Sequence, residues 1–175
     1  TYLKGLDVID MNEKSVEYFI PSGKGQLKMP INCFVDERGD LYVADAERFQ
    51  IVVFDDKGKY IHSFGEAEKF KPTDVFIYDN KIWVANLVGR KIHVYSRDSA
   101  NKFLYSFPDS EPGKHDYLYS PTNIFVTNDK VYVSDFGDFK VKMYSHDGMF
   151  LDSLGSYGDN IGQLAKPKGI AVSRD

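Results

Sequence analysis

Three acidic or amide side chains recur at one place in a repeating unit: Asp45 in Leu41-Tyr42-Val43-Ala44-Asp45, Asn86 in Ile82-Trp83-Val84-Ala85-Asn86, and Asp135 in Val131-Tyr132-Val133-Ser134-Asp135. A set of carboxylates invites a general acid/base reading. Each, however, closes a short apolar run and precedes a turn. A short oxygen-bearing side chain at a strand end hydrogen-bonds turn amides, so a structural role is expected, with Lys91 and Lys140 beside such groups. The turns themselves carry Arg48, Phe49, Arg90, Phe136, Asp138 and Phe139. Cations and rings in that mixture suit a carboxylate, a peptide or a sugar face. The alternative is that Phe49 and Phe139 seal a seam and the charges are solvated.

Two further groups have the composition of a site. Asn32, Asp74, Asn123 and Gly169 each lie two residues after a proline, at Pro30, Pro72, Pro121 and Pro167. Calcium takes about six to eight oxygen ligands, so one carboxylate with two amides is a thin set, and ordered water would satisfy the same groups. His62, His93, His115 and His146 fall at four different places in the unit, where a zinc centre would need imidazoles converging from equivalent positions. Cys33 lies in an apolar run and is expected to be a small core residue; one cysteine allows no disulfide within the chain.

The elements that position these groups follow from the repeat. From Pro30 to Phe64, four apolar runs rich in β-branched and aromatic residues (32–35, 41–44, 51–54 and 60–64) alternate with polar turns, among them Asp55-Asp56-Lys57-Gly58. Gly58 supplies the positive φ that a tight hairpin demands. The four prolines stand at intervals of 42, 49 and 46 residues, and six residues after each Asp or Asn come Ile51-Val52-Val53-Phe54, Ile92-His93-Val94-Tyr95 and Val141-Lys142-Met143-Tyr144. A period of about 40 to 50 residues with four strands per unit predicts a β-propeller, since one small sheet cannot bury both faces alone.

The unit, from its proline through [LIV]-[YW]-V-[AS]-[DN] to [IV]-x-[VM]-[FY], resembles the NHL repeat, the blade of a class of usually six-bladed propellers. Asn86 and Gln50 depart from the usual Asp and Lys. The resemblance implies an all-β chain of about three complete four-stranded blades with partial blades at each end. Expected boundaries are a half blade at 1–22, blades at 23–66, 67–109 and 110–156, and the start of another at 157–175. Residues 6–19 read as third and fourth strands, and 166–175 as an opening strand. The chain starts at Thr1 with no signal-like stretch, and the expectation is a segment whose missing blades come from a longer chain or a second copy. The family includes lyases, lactonase-like enzymes with calcium near the 32/74/123 position, sensors, and RNA- or protein-binding modules; it leans toward an extracellular or periplasmic location.

Propeller topology places the 46–49, 87–90 and 136–139 turns on one face with the interblade loops 66–71, 109–120 and 156–166. The longest loop, DSEPGKHDYLYS, carries Tyr117 and Tyr119, which either bind or pack down on the blade. Composition narrows the partners. With 22 Lys and Arg against 26 Asp and Glu, a net charge of −4 disfavours nucleic acid, although Lys69, Lys71, Lys114, Lys166 and Lys168 fall in or beside the loops. No apolar run reaches the roughly 18 residues of a membrane span, so the segment reads as soluble. The leading expectation is a non-catalytic recognition or sensor module, without a cofactor, that binds a protein, peptide or carbohydrate through Arg48, Phe49, Arg90, Phe136, Asp138, Phe139, Tyr117 and Tyr119. The alternatives are a propeller hydrolase or lyase with an axial metal at Asn32, Asp74 and Asn123, and RNA binding.

Overall fold

The computed structural model describes residues 4–98 and 100–173. The chain forms two compact units, Thr1–Pro72 and Thr73–Asp175. In the first, β1 (Leu6–Asp10) and β2 (Ser15–Phe19) make a hairpin. A single 3-10 turn at Gly23–Gly25 then leads to a four-stranded antiparallel sheet of β3 (Pro30–Val35), β4 (Leu41–Asp45), β5 (Gln50–Phe54) and β6 (Tyr60–Phe64) in sequential order. The second holds two more such sheets: β7 (Pro72–Tyr78), β8 (Lys81–Asn86), β9 (Lys91–Ser96) and β10 (Phe103–Phe107), then β11 (Pro121–Val126), β12 (Val131–Asp135), β13 (Lys140–Tyr144) and β14 (Phe150–Leu154). Their order is also sequential, so every connection is a hairpin.

Turn chemistry explains the register. Between β5 and β6, Asp55 Oδ1 accepts from the Lys57 and Lys59 amides at 3.0 and 2.8 Å, and Gly58 has φ 75° as its sequence position implies. Asp36 does the same between β3 and β4, taking the Arg38 and Asp40 amides. The turns from second to third strand differ. There the left-handed residue is not glycine but Phe49, Arg90 or Phe139, with φ 57°, 52° and 56°. Such a backbone costs on the order of 1 kcal/mol, and it holds the same position in all three sheets.

Middle strands are buried on both faces, which is why β4, β5 and β8 read as near-continuous apolar runs. In the second unit Trp83, Ile92, Val94 and Phe107 of one sheet pack with Leu118, Ile124, Val133 and Tyr144 of the next segment in a single core. In the first, Leu27, Val43, Val52 and Phe54 form the core, and Phe19 of the hairpin meets Phe54 edge-on at 5.0 Å. Leu27 and Leu118 each stand three residues before a repeat proline and are fully buried, an anchor the sequence reading passed over.

Two expectations are corrected. Cys33 is exposed, not core: β3 alternates, and Cys33 shares the outward face with Ile31 and Val35, 46% and 59% exposed. No strand forms over 166–173, because a strand exists by its ladder and none is made there among the described residues; positions 174 and 175 of that expected strand lie outside them. The terminal sheets do expose apolar side chains, including Ile9, Val16 and Tyr18 at one end and Leu154 and Tyr157 at the other. No helix among the described residues is long and apolar enough to cross a membrane.

Candidate functional site

The recurring strand-end groups are structural, and they reach further than their own turns. Asp45, fully buried, accepts from the Lys28, Met29 and Arg48 amides at 2.6, 3.0 and 3.0 Å. Asp135 accepts from Tyr119 and Ser120 at 2.9 and 2.7 Å. Each carboxylate thus clamps the loop that enters its own sheet. Asn86 takes the Gly89 amide at 3.3 Å and donates through Nδ2 to His93 Nε2 at 3.2 Å.

Seven residues after these groups, on the facing strand, stand Val52, His93 and Lys142. Lys142 is completely buried. Its Nζ lies 3.3 Å from Asp135 Oδ2 and 2.8 Å from Asp138 Oδ2, donates to the Tyr117 carbonyl, and sits 5.6 Å from the Tyr119 ring centroid. A buried ammonium is tolerable only when paired and hydrogen-bonded in this way. Lys140 and Lys91 stand directly opposite Asp135 and Asn86 as expected, but their ammonium groups pair elsewhere, Lys140 with Asp138 at 3.4 Å and Lys91 with Asp109 at 3.0 Å, while the buried Asp135 is met by Lys142. Lys142 was missed because one lysine in a strand reads as its solvent face. The signal was the spacing of seven that pairs it with Asp135 across the hairpin.

Around this centre the second unit gathers Arg90, Tyr117, Tyr119 and Asp138. Arg90 Nη1 donates to Tyr117 Oη at 2.6 Å, with the guanidinium carbon 5.7 Å from the ring centroid; Tyr117 and Tyr119 meet edge to face at 4.8 Å. The 109–120 loop is pinned down: Tyr119 Oη accepts from the Gly113 amide at 2.9 Å, Ser110 donates to Asp116 at 2.7 Å, and Tyr144 Oη donates to the Asp116 carbonyl at 2.5 Å. Burial, followed by the charges of Asp135, Asp116 and Asp138, pushes the Tyr144 pKa up, so it stays a donor. Tyr117 is buried and Tyr119 half-buried. Gly137 allows the close approach, since a Cβ there would meet Tyr119 Cβ at 2.7 Å. Phe139 rests on Tyr157, ring centroids 4.7 Å apart, and Phe136 is half-buried beside it in the turn.

Arg48 and Phe49 belong to the first unit. Arg48 is turned inward on its own structure, donating to the Lys24 and Gln26 carbonyls at 2.9 and 2.6 Å and to Gln50 Oε1 at 3.2 and 3.1 Å. Arg48→Ala is expected to cost about 1 to 3 kcal/mol in urea unfolding, because the guanidinium holds two carbonyls of the 3-10 turn. Phe49 is half-buried at its left-handed position.

The axial set fits calcium poorly. Asp74 is 5% exposed, and its two oxygens already accept from the Val75 amide at 2.9 Å and the Ile124 amide at 2.8 Å, with Asn123 Nδ2 at 3.5 Å. Burial outweighs these bonds and pushes its pKa up to about 7, so the one carboxylate of the set is only partly ionised near neutrality. Asn32, in the first unit, uses Oδ1 on the Cys33 amide at 2.9 Å. The histidines serve packing: His146 Nε2 donates to the Thr127 carbonyl at 2.8 Å beside Trp83, His115 meets Phe150 edge-on at 4.7 Å, His62 stacks on Phe64, and His93 joins Asn86. Among the described residues no group of three or more His, Cys, Asp or Glu is arranged to hold a metal. At the other end of β13, Tyr105, Ser106, His146 and Asp147 line an open cleft.

No family model and no curated protein matches the sequence. Among solved structures the chain is similar to a streptogramin B lyase (TM-score 0.63, 15% identity, 86% of this chain and 47% of that one). It is also similar to a catalytically inactive virginiamycin B lyase from Staphylococcus aureus with quinupristin (TM-score 0.62, 14% identity, 85% and 48%). A third is a chain of the nidogen/laminin complex (TM-score 0.65, 16% identity, 86% and 55%). The fold is therefore that of β-propeller blades, and the chain spans about half the length of the structures it matches.

Proposed function

We propose that the chain is part of an NHL-type propeller of six blades that acts as a non-catalytic recognition module, binding a protein, peptide or carbohydrate on the face made by its second-to-third strand turns and interblade loops. The observation that carries this reading is the Arg90–Tyr117–Tyr119–Lys142–Asp138 cluster: rings and charges held at a loop surface by an ion network centred on the fully buried Lys142. Rigid aromatic and arginine groups lose little entropy on contact, which is what recognition surfaces use. One similar structure is of a complex between two proteins, nidogen and laminin.

The test is saturable binding on peptide and glycan arrays by the wild-type chain, reduced at least tenfold by Arg90→Ala or Phe136→Ala. Binding indifferent to both variants would place recognition elsewhere and contradict the reading.

A second reading, a propeller lyase or hydrolase, draws on two similar structures being lyases and on the buried Asp74 with its raised pKa. It predicts an activity lost in Asp74→Asn. The recognition reading expects no such activity. It also expects calcium or a chelator to leave the melting temperature within about 1 °C, because a ligand raises stability only where it binds the native state. RNA binding has the weakest support, given the net charge of −4.

A further inference from the structure

The left-handed residue of the second-to-third strand turn sets up a contrast between sheets. After β12 that residue is Phe139, whose ring packs on Tyr157 of the following loop. After β8 it is Arg90, placed on Tyr117 of the following loop. An arginine stands where its counterparts Phe49 and Phe139 are rings, and the residue it meets is again a tyrosine of the following loop. Packing alone would be satisfied by phenylalanine.

Several charges of the same unit are paired. Asp135 and Asp138 face Lys142, Asp138 also faces Lys140, and Asp109 faces Lys91. Arg90 is exposed, and its Nη1 donates to the Tyr117 hydroxyl. A guanidinium has five N–H donors in a fixed fork suited to a carboxylate, and the hydrogen bond to the Tyr117 hydroxyl anchors it in advance. Stacking platforms for sugars are not what remains: Tyr117 is buried, Lys142 lies over Tyr119, and the two rings meet edge to face.

We infer that Arg90, held on Tyr117, is a carboxylate receptor and that the ligand of this face is an acidic peptide segment. The inference rests on the recognition reading and names its ligand class. It also runs against the chain's overall charge of −4, so an acidic peptide that binds must do so locally.

The test is fluorescence anisotropy with labelled, C-terminally amidated hexaglutamate, with hexaglutamine and tetragalacturonate as comparisons, at low and physiological salt. Arg90→Phe restores the residue type of the sibling turns and is expected to keep the melting temperature within a few degrees. Hexaglutamate should bind the wild type and hexaglutamine should not. Arg90→Phe should weaken hexaglutamate at least tenfold, and Arg90→Lys, which keeps charge but loses the fork, should weaken it severalfold. Equal binding by wild type and Arg90→Phe, no binding of hexaglutamate, or tetragalacturonate binding in its place would each overturn the inference. An array ligand without a carboxylate, lost in Phe136→Ala, would sink the inference and leave the recognition reading standing; no saturable ligand on the arrays would count against both.

Discussion

Lys142→Met is expected to lower the unfolding free energy by about 3 to 5 kcal/mol, read as a shift in urea midpoint at unchanged slope. Methionine keeps the volume and removes the ammonium. Asp135, fully buried, would lose its ion-pair partner and be left to the Tyr119 and Ser120 amides, and Asp138 would lose its 2.8 Å partner. Adding Asp135→Asn should recover part of the loss, because the sibling sheet already carries Asn86 at that position with His93, not a lysine, seven residues on. Full stability in Lys142→Met alone would show that the network does not hold the loop.

The second large effect is on pH dependence. Asp74 has a folded pKa of about 7 against an ordinary value of 3.8. Below about pH 4 the carboxyl is neutral in both states, and nothing is lost. From there up to about pH 7 the unfolded chain ionises it while the folded chain keeps the proton, so stability falls as pH rises. Above about 7 the full cost is carried, on the order of 4 kcal/mol for a shift of about three pKa units. Asp74→Asn removes this contribution. The difference in stability between variant and wild type, measured by urea unfolding from pH 4 to pH 8, should therefore move in the variant's favour by several kcal/mol. At pH 4 the variant should be the weaker by about 1 to 2 kcal/mol, since one of the two acceptors of the Val75 and Ile124 amides becomes a donor. A flat difference would mean that Asp74 is ionised throughout.

The period of the prolines and the paired apolar runs made the four-stranded sheets legible, because burial on both faces writes itself into composition. Gly58 and the Asp55 turn were legible for the same reason: the chemistry is local. What could not be read was non-local or exceptional. Phe49, Arg90 and Phe139 adopt a left-handed backbone without glycine, and no residue-type rule announces that. Arg48 and Arg90 look alike in a turn, yet one hydrogen-bonds its own 3-10 turn and the other lies on a tyrosine of the next loop. Lys142 looked like a surface residue until Asp135, Asp138 and Tyr117 closed around it. Tyr117 and Tyr119, expected either to bind or to pack down on the blade, do pack down: one is buried, the other half-buried, with a cation 5.7 and 5.6 Å from the respective ring centroids.

Recognition on this face requires the 109–120 loop to be a fixed platform. Amide hydrogen exchange at Tyr119 and Ser120 measures that directly, because their N–H groups are the ones Asp135 accepts. They should be protected to the level of the Ile124 and Val133 amides, and in Lys142→Met should lose more of that protection than the strands do. Exchange of these two amides in the wild type at the rate of an open loop would contradict the platform and the recognition site built on it.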